Sequence, residues 1–438
     1  MNLAGKFSFL ACAAIIPYVW FRFQHRRNLQ TKTIHDIQQE SHACKSSQQD
    51  EEAAEQIHRP TLETPANIDF IRNSYTEEDT CCSIRLVLRN GPSRWHIKVT
   101  FKGSLPFSKT GIKRTQRRKD FESLCHSICF HRIDLLQDTV TEIVVSDHSV
   151  KHDHDVNLLP RTACPNNRYS GVEFGQLYSQ EDPLRVHFPS YTHSETPVRD
   201  FADVKKEQDL AAGISTVHVI GDKQLYVLKE IDRPLYIPRD TEVFQHELQN
   251  LEALRGTEGI VQLKGLVISR NPYQTLTESN TSCMVLRGAL LEYHPHGTLR
   301  DALASSEPRP WLQWALRLAS GLNQLHSRKI THMDLKPENI VIDASYEVVL
   351  IDLSGRAVTY EWLSPEMRDI CSPWELDLVS RIKQDTWAFG TILQRMADVS
   401  TDDMEKKLLN HVGTRAAAES PSSRLSFFFV ISELQPFI

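Results

Sequence analysis

"ITHMDLKPENIVID" (330–343) decides how the second half of this chain folds. Asp334, Lys336 and Asn339 stand between Ile330 on one side and Ile340, Val341 and Ile342 on the other. A solvated loop has no use for such flanks. Polar side chains held between buried strands do, because a buried charge is costly unless it is paired. "YEVVLIDLSG" (346–355) follows, an apolar run that reads as a strand ending in Asp352. Two acids and an amide at strand ends and loops suit a divalent cation. Mg2+ takes one or two protein oxygens and completes its shell with water and phosphate oxygens. Asp334 is then the acid free to accept a proton from a hydroxyl. Lys336 is placed to neutralise a transferring phosphoryl group.

Upstream, "QLYVLKEID" (224–232) reads as a strand carrying Lys229, and "TEVFQHELQNLEAL" (241–254) as a helix. Phe244, Leu248, Leu251 and Leu254 make the helix's apolar stripe, and Glu247 borders it. A carboxylate there wants a cation, for which Lys229 is the candidate; a surface Glu on the stripe's edge is the plainer alternative. "VLRGALLEYHPHGTLRDAL" (285–303) holds a strand ending at Leu291 and then a polar connector with Glu292 and His294. A helix over 311–327 leads back to the opening stretch.

The order Lys229, Glu247, "HMDLKPEN" (332–339), "DLSG" (352–355), "SPE" (364–366), "DTWAFG" (385–390) and Arg424 resembles the eukaryotic protein kinase superfamily, serine/threonine branch. The resemblance covers about 204–438, a little over half the chain. It implies a bilobal α+β fold, with Lys229 on the ATP α/β-phosphates and paired to Glu247. It implies Asp334 and Lys336 as catalytic residues, and Asn339 and Asp352 as Mg2+ ligands. Gly213, Val217, Leu291, Glu292 and His294 would line the ATP site, Val217 covering adenine and the last two giving backbone contacts. His332, Pro365 and Asp385 occupy structural motif positions, and Glu366 would pair with Arg424 to brace the C-lobe.

The same resemblance exposes departures. "DLAAGISTVHVI" (209–220) holds only Gly213 where the family has up to three glycines, which restricts the backbone near the phosphates. The family's DFG becomes Asp352-Leu353-Ser354, with Gly355 one place later. Met333 replaces an Arg that pairs with activation-loop phosphate in many relatives, and Met cannot make that contact. Asp352 to Glu366 spans only fourteen residues, a short substrate-facing segment in which Thr359 and Trp362 would sit. The stretch between "DTWAFG" and "PSSRLS" (421–426) is short enough to lack a helix, and the tail "FFFVISEL" (427–434) reads as a closing helix or a strand.

The 438 residues exceed one ordinary core. The apolar fraction of 40% and charged fraction of 24% fit a globular protein, and a net charge of -6 gives no reason to expect nucleic-acid binding. Nine scattered cysteines read as a reducing compartment; Cys125, Cys129 and His131 lack a fourth ligand at a metal-site spacing.

The domain reading has five parts. Residues 1–27 hold the uncharged run 7–21, followed by Arg22, Arg26 and Arg27. With Phe23 that run reads either as a single membrane anchor, leaving the rest in the cytosol, or as an interfacial segment. Residues 28–65 form a polar linker. Residues 66–160 form a separate β-rich domain, with a hairpin over 82–101, a strand over 141–147 and a basic run over 109–120 that reads as a solvated face. Residues 161–203 read as a second linker. The kinase-like domain follows, with an N-lobe over 204–293 and a C-lobe over 294–438. The expected function is an ATP- and Mg2+-dependent kinase acting on protein Ser/Thr hydroxyls without activation-loop phosphorylation. A pseudokinase scaffold is the alternative, favoured by the poor glycine loop. Lys336 and the Ser-Pro-Glu segment count against a small-molecule kinase.

Overall fold

A computed structural model describes residues 67–103, 113–147, 174–192, 194–276 and 283–437. Pro60–Ile438 form one compact unit. The apolar run 7–23 and the polar stretch 28–65 lie outside the described residues, among which no helix is long and apolar enough to cross a membrane.

The first sheet is built from β1 (Asn67–Phe70), β2 (Thr76–Glu77), β3 (Cys81–Asn90), β4 (Ser93–Lys102), β5 (Val140–Asp147) and β6 (Phe174–Glu181). Its order is β1-β3-β4-β5-β6, with β2 on β3. β3 and β4 form the expected hairpin, closing at Asn90 and Ser93. Alternation sends Ile84, Leu86, Ile97 and Val99 to one face, where they meet Phe121, Leu124 and Cys125 of helix α1 (Arg114–His126). Most of the basic run lies on this helix. Arg117 pairs with Glu77 at 2.9 Å and Arg118 with Glu122 at 2.7 Å.

The second sheet runs β7-β11-β12-β10-β9-β8. Its members are β7 (Val198–Asp200), β8 (Val204–Ala211), β9 (Ile214–Val219), β10 (Leu225–Glu230), β11 (Leu263–Arg270) and β12 (Met284–Glu292). Helix α2 (Arg239–Ala253) lies against it, burying Phe244, Glu247 and Leu251. The stretch 161–203, read as a linker, contributes a strand to each sheet: β6 to the first, and β7 parallel to β11 in the second. Both are edge strands, and their mixed polar composition hides the period-two pattern that a half-buried strand shows.

The C-terminal lobe gathers α3 (Leu299–Ala304), α4 (Trp311–Ser327), the hairpin β13 (Ile340–Ile342) and β14 (Val348–Leu350), α5 (Leu378–Val399), α6 (Asp403–Ala416) and α7 (Phe427–Leu434). Their inward faces share one core, including Trp314, Leu318, Leu322, Phe389, Ile392 and Phe427. The run Phe427–Leu434 is a helix and not a strand; Phe427, Val430 and Leu434 fall at helical spacing and are its buried positions. One helix, α6, fills the short stretch between α5 and Arg424.

Candidate active site

The two lobes meet at strand ends and loops, where the polar side chains singled out above converge. Pairing of β10 with β12 puts Val227 opposite Leu291 and Lys229 opposite Ala289. Residues directly opposite share a face, so Val227, Leu291 and Lys229 look the same way. The Lys229 ammonium lies 2.5 Å from Glu247 Oε2 and 2.6 Å from Asp352 Oδ1. Burial opposes its charge, but Asp352 and Glu247 outweigh burial and its pKa rises. Lys229 in turn holds the Asp352 carboxyl down at about 2. Glu247 responds chiefly to burial, which pushes its pKa up, and its Oε1 is buried without a partner.

Below Asp352 lies the loop that opens at His332. Asn339 Nδ2 donates to the Asp334 carbonyl at 2.8 Å and to Asp334 Oδ2 at 3.1 Å. Lys336 Nζ donates to Asp334 Oδ2 at 2.8 Å and to Thr359 Oγ1 at 2.7 Å. Burial works against the Lys336 charge, and Asp334 reverses the balance and raises its pKa. The two bonds that reach the Asp334 carboxylate both fall on Oδ2. Oδ1, also buried, has no partner.

The loop is held from beneath by Asp385 on α5. Its carboxylate accepts from the backbone N–H of His332 and of Met333, both at 2.8 Å, and lies 2.9 Å from His326 Nε2. Those bonds fix Met333 at φ +63, a conformation uncommon for a residue with a Cβ. Asp352 also sits at φ +63. Gly355, at the same φ, presses on the loop: a Cβ there would stand 2.8 Å from the Thr331 carbonyl oxygen. This is a physical reason for glycine at 355 even though the motif is displaced by one residue. Arg424, buried, grips Glu366 with two bonds of 2.6 and 2.8 Å beside Pro365, which opens a 3-10 turn.

Glu292 ends β12 directly after Leu291, and His294 stands two residues further on. The Glu292 carboxylate lies 3.2 Å from Lys264 Nζ and 3.4 Å from His294 Nε2, which fixes the segment's side chains. Gly213 occupies the two-residue turn Ala212-Gly213 between β8 and β9 at φ +75, and its carbonyl accepts from Glu230 N at 2.8 Å.

One expectation fails. Val217 pairs with Tyr226 and is buried with Tyr226 and Leu228 on the sheet's other face, away from Lys229. Successive strand residues alternate, so the face opposite Val227 belongs to Thr216. Trp362, within the segment between Asp352 and Glu366, is buried in the C-lobe core with the Arg395 guanidinium 4.4 Å over its ring. Sequence reading also missed Asn250, whose amide donates to the Leu353 carbonyl at 2.7 Å and ties α2 to the Asp352 segment. Its spacing of three from Glu247 is the signal that could have found it.

Residues 212–402 match the family model described as the protein kinase domain. That part of the chain is a protein kinase domain of the eukaryotic superfamily. The kinase domain is 25% identical over 237 residues to mitogen-activated protein kinase kinase 7 of Arabidopsis thaliana, covering 48% of this chain and 71% of that protein. It is 32% identical over 119 residues to human mitogen-activated protein kinase kinase kinase 13, covering 24% of this chain and 12% of that one. A match to the serine/threonine-protein kinase PKH2 of Saccharomyces cerevisiae is 22% identical over 320 residues, covering 60% of this chain and 27% of that one. The chain thus spans about an eighth of the second relative and about a quarter of the third.

Proposed function

We propose that this kinase domain is catalytically competent and transfers the γ-phosphate of Mg-ATP to serine or threonine hydroxyls of proteins. One observation carries the reading: Glu247, Lys229 and Asp352 form an unbroken ionic chain from α2 to the strand end, while Asp334 keeps one carboxylate oxygen without a partner. Phosphoryl transfer asks mainly for positioning and electrostatics, and these are the groups that supply them.

The residues fit Mg-ATP. Asp352 commits one carboxylate oxygen to Lys229 and its side chain is 34% exposed. Asn339 spends its amide nitrogen on Asp334, so its amide oxygen is the atom left for a cation. Asp352 and Asn339 would hold Mg2+, whose chemistry there would be neutralisation of phosphate charge. Asp334 Oδ1 is the acceptor for the substrate hydroxyl's hydrogen bond and proton. Lys336, held between Asp334 and Thr359, meets the charge building on the transferred group. Met333 packs with Leu363 and Met367, so apolar contact orders the activation segment where relatives use phosphate. That supports competence without phosphorylation of the segment.

One observation favours a pseudokinase scaffold instead. The loop between β8 and β9 is a two-residue turn whose Gly213 carbonyl is already engaged by Glu230. Radiolabel transfer from γ-labelled ATP to the protein itself or to a generic protein substrate decides between them. The expectation is incorporation by the wild type and loss of about a thousandfold or more in Asp334→Ala. Equal incorporation by the two proteins sinks the kinase reading.

A further inference from the structure

The segment between the two sheets makes contacts that a simple tether does not need. Its first residue, Asp182, is fully buried and lies 3.0 Å from Lys98 of the first sheet, while its backbone N–H bonds the Val140 carbonyl at 2.9 Å. From there the chain crosses to α2. Val186, with Phe188 and Tyr191 half-buried beside it, fills a groove formed by Phe244 and Leu248 of α2 and Leu286 of β12. The Arg287 guanidinium caps the Phe188 ring at 4.8 Å. Backbone bonds from Leu286 N to the Pro189 carbonyl and from Tyr191 N to the Met284 carbonyl, 2.8 and 2.9 Å, lash the segment to β12.

Both ends of α2 are clamped. In its first turn Thr241 Oγ1 donates to the His187 carbonyl at 2.7 Å, and the His187 N–H donates to Tyr236 Oη at 2.9 Å. In and just beyond its last turn, Ser194 donates to Glu252 at 3.0 Å and Arg255 donates to Thr196 at 2.6 Å. The Pro197 carbonyl then accepts from Leu266 N at 2.8 Å, and the chain enters β7. Glu247 and Asn250 lie between the clamps, one on Lys229 and the other on Leu353.

We propose that Asp182–Pro197 is a strap that positions α2, and with it Glu247, for catalysis, and that the β-rich sheet serves as its anchor. The catalytic half of this statement rests on the kinase reading above. A helix with one apolar stripe and a charged catalytic residue at its edge keeps its orientation only while that stripe is covered. Here the cover comes from the same chain, and it is fixed to the first sheet, which supplies none of the side chains described at the candidate active site. Phe188, Tyr191 and Tyr236 are therefore positioning residues.

The test compares the full chain with Tyr236→Phe, which removes one oxygen and with it the bonds to the His187 N–H and to Thr241 Oγ1, and with Phe188→Ala/Tyr191→Ala. Backbone hydrogen exchange is followed over 241–253 and over 311–327, alongside kcat and KM for ATP. In both variants exchange over 241–253 should quicken about tenfold while 311–327 holds, and kcat should fall about tenfold with a smaller change in KM. A synthetic peptide covering 183–197 should restore both in the double variant. Unchanged exchange over 241–253 overturns the strap. So does equal loosening of 311–327, which marks general destabilisation, and so does faster exchange with unaltered kcat. If the wild type transfers no phosphate, the kinase reading falls by itself; the exchange pattern and its reversal by peptide then decide whether the strap holds α2.

Discussion

His96 shows how one side chain can set the acid limit of the fold. Its ring meets Tyr273 edge-on at 5.3 Å, and its Nε2 is buried without a partner. Burial first, then Arg94 and Arg89, holds its pKa down at about 4. The folded protein therefore keeps this imidazole neutral where the unfolded chain, titrating near 6.5, takes up a proton. Its contribution is complete above pH 6.5, drains away as pH falls to about 4, and amounts to at most about 3 kcal/mol. Urea midpoints measured at pH 7.5 and pH 5 should show the loss, and His96→Phe should flatten the slope. A slope that persists in the variant would assign the acid sensitivity elsewhere. None of this was readable in the sequence, where His96 is one polar residue on the outward face of a hairpin strand. Lys229 and Glu247 were readable as a pair, because helix and strand periods fix which face each side chain takes.

Elements were readable where a buried face imposes a period, and misread where register or tertiary cover decides. The β3–β4 hairpin and α4 followed from spacing alone. Val217 was placed on the wrong face because counting from a glycine motif does not give the register against β10, and a shift of one residue inverts a strand's faces. β6 and β7 escaped because edge strands with polar outer faces look like loops. The activation segment shows the same tertiary control. Met333 is 1% exposed and packs with Leu363 and Met367, with Val358 and Leu376 at the margin. Met333→Arg restores the family's usual residue type but puts an unpaired cation into that apolar cluster. The expected cost is about 3 kcal/mol, with a correspondingly lower melting temperature, because a buried charge without a partner keeps its desolvation penalty. A variant as stable as the wild type would mean that the segment is held by something other than this cluster.

Across the whole chain, the two sheets are joined by more than the strap. Thr275, in the connection between β11 and β12, is 2% exposed and held from two directions. Asp138 accepts from its N–H and donates to its hydroxyl, each at 2.8 Å, and the Arg94 N–H donates to its carbonyl at 2.8 Å. Asn271 Nδ2 adds a bond to the Asp138 carbonyl at 2.8 Å, and Arg94 Nε one to Gln274 at 3.0 Å. Family boundaries place a kinase domain at 212–402, and sequence patterning places it at 204–438; either cut discards every partner of this connection along with the strap and β7. Buried backbone groups that lose their partners cost stability unless water reaches them. Residues 60–438 should therefore melt in one cooperative transition, whereas 204–438 expressed alone should fail to hold tertiary structure. Near-ultraviolet circular dichroism and limited proteolysis compare the two directly. A well-folded 204–438 with an undiminished melting temperature would show that the β-rich sheet is a passenger, and the placement of α2 would then have to come from the kinase lobes themselves.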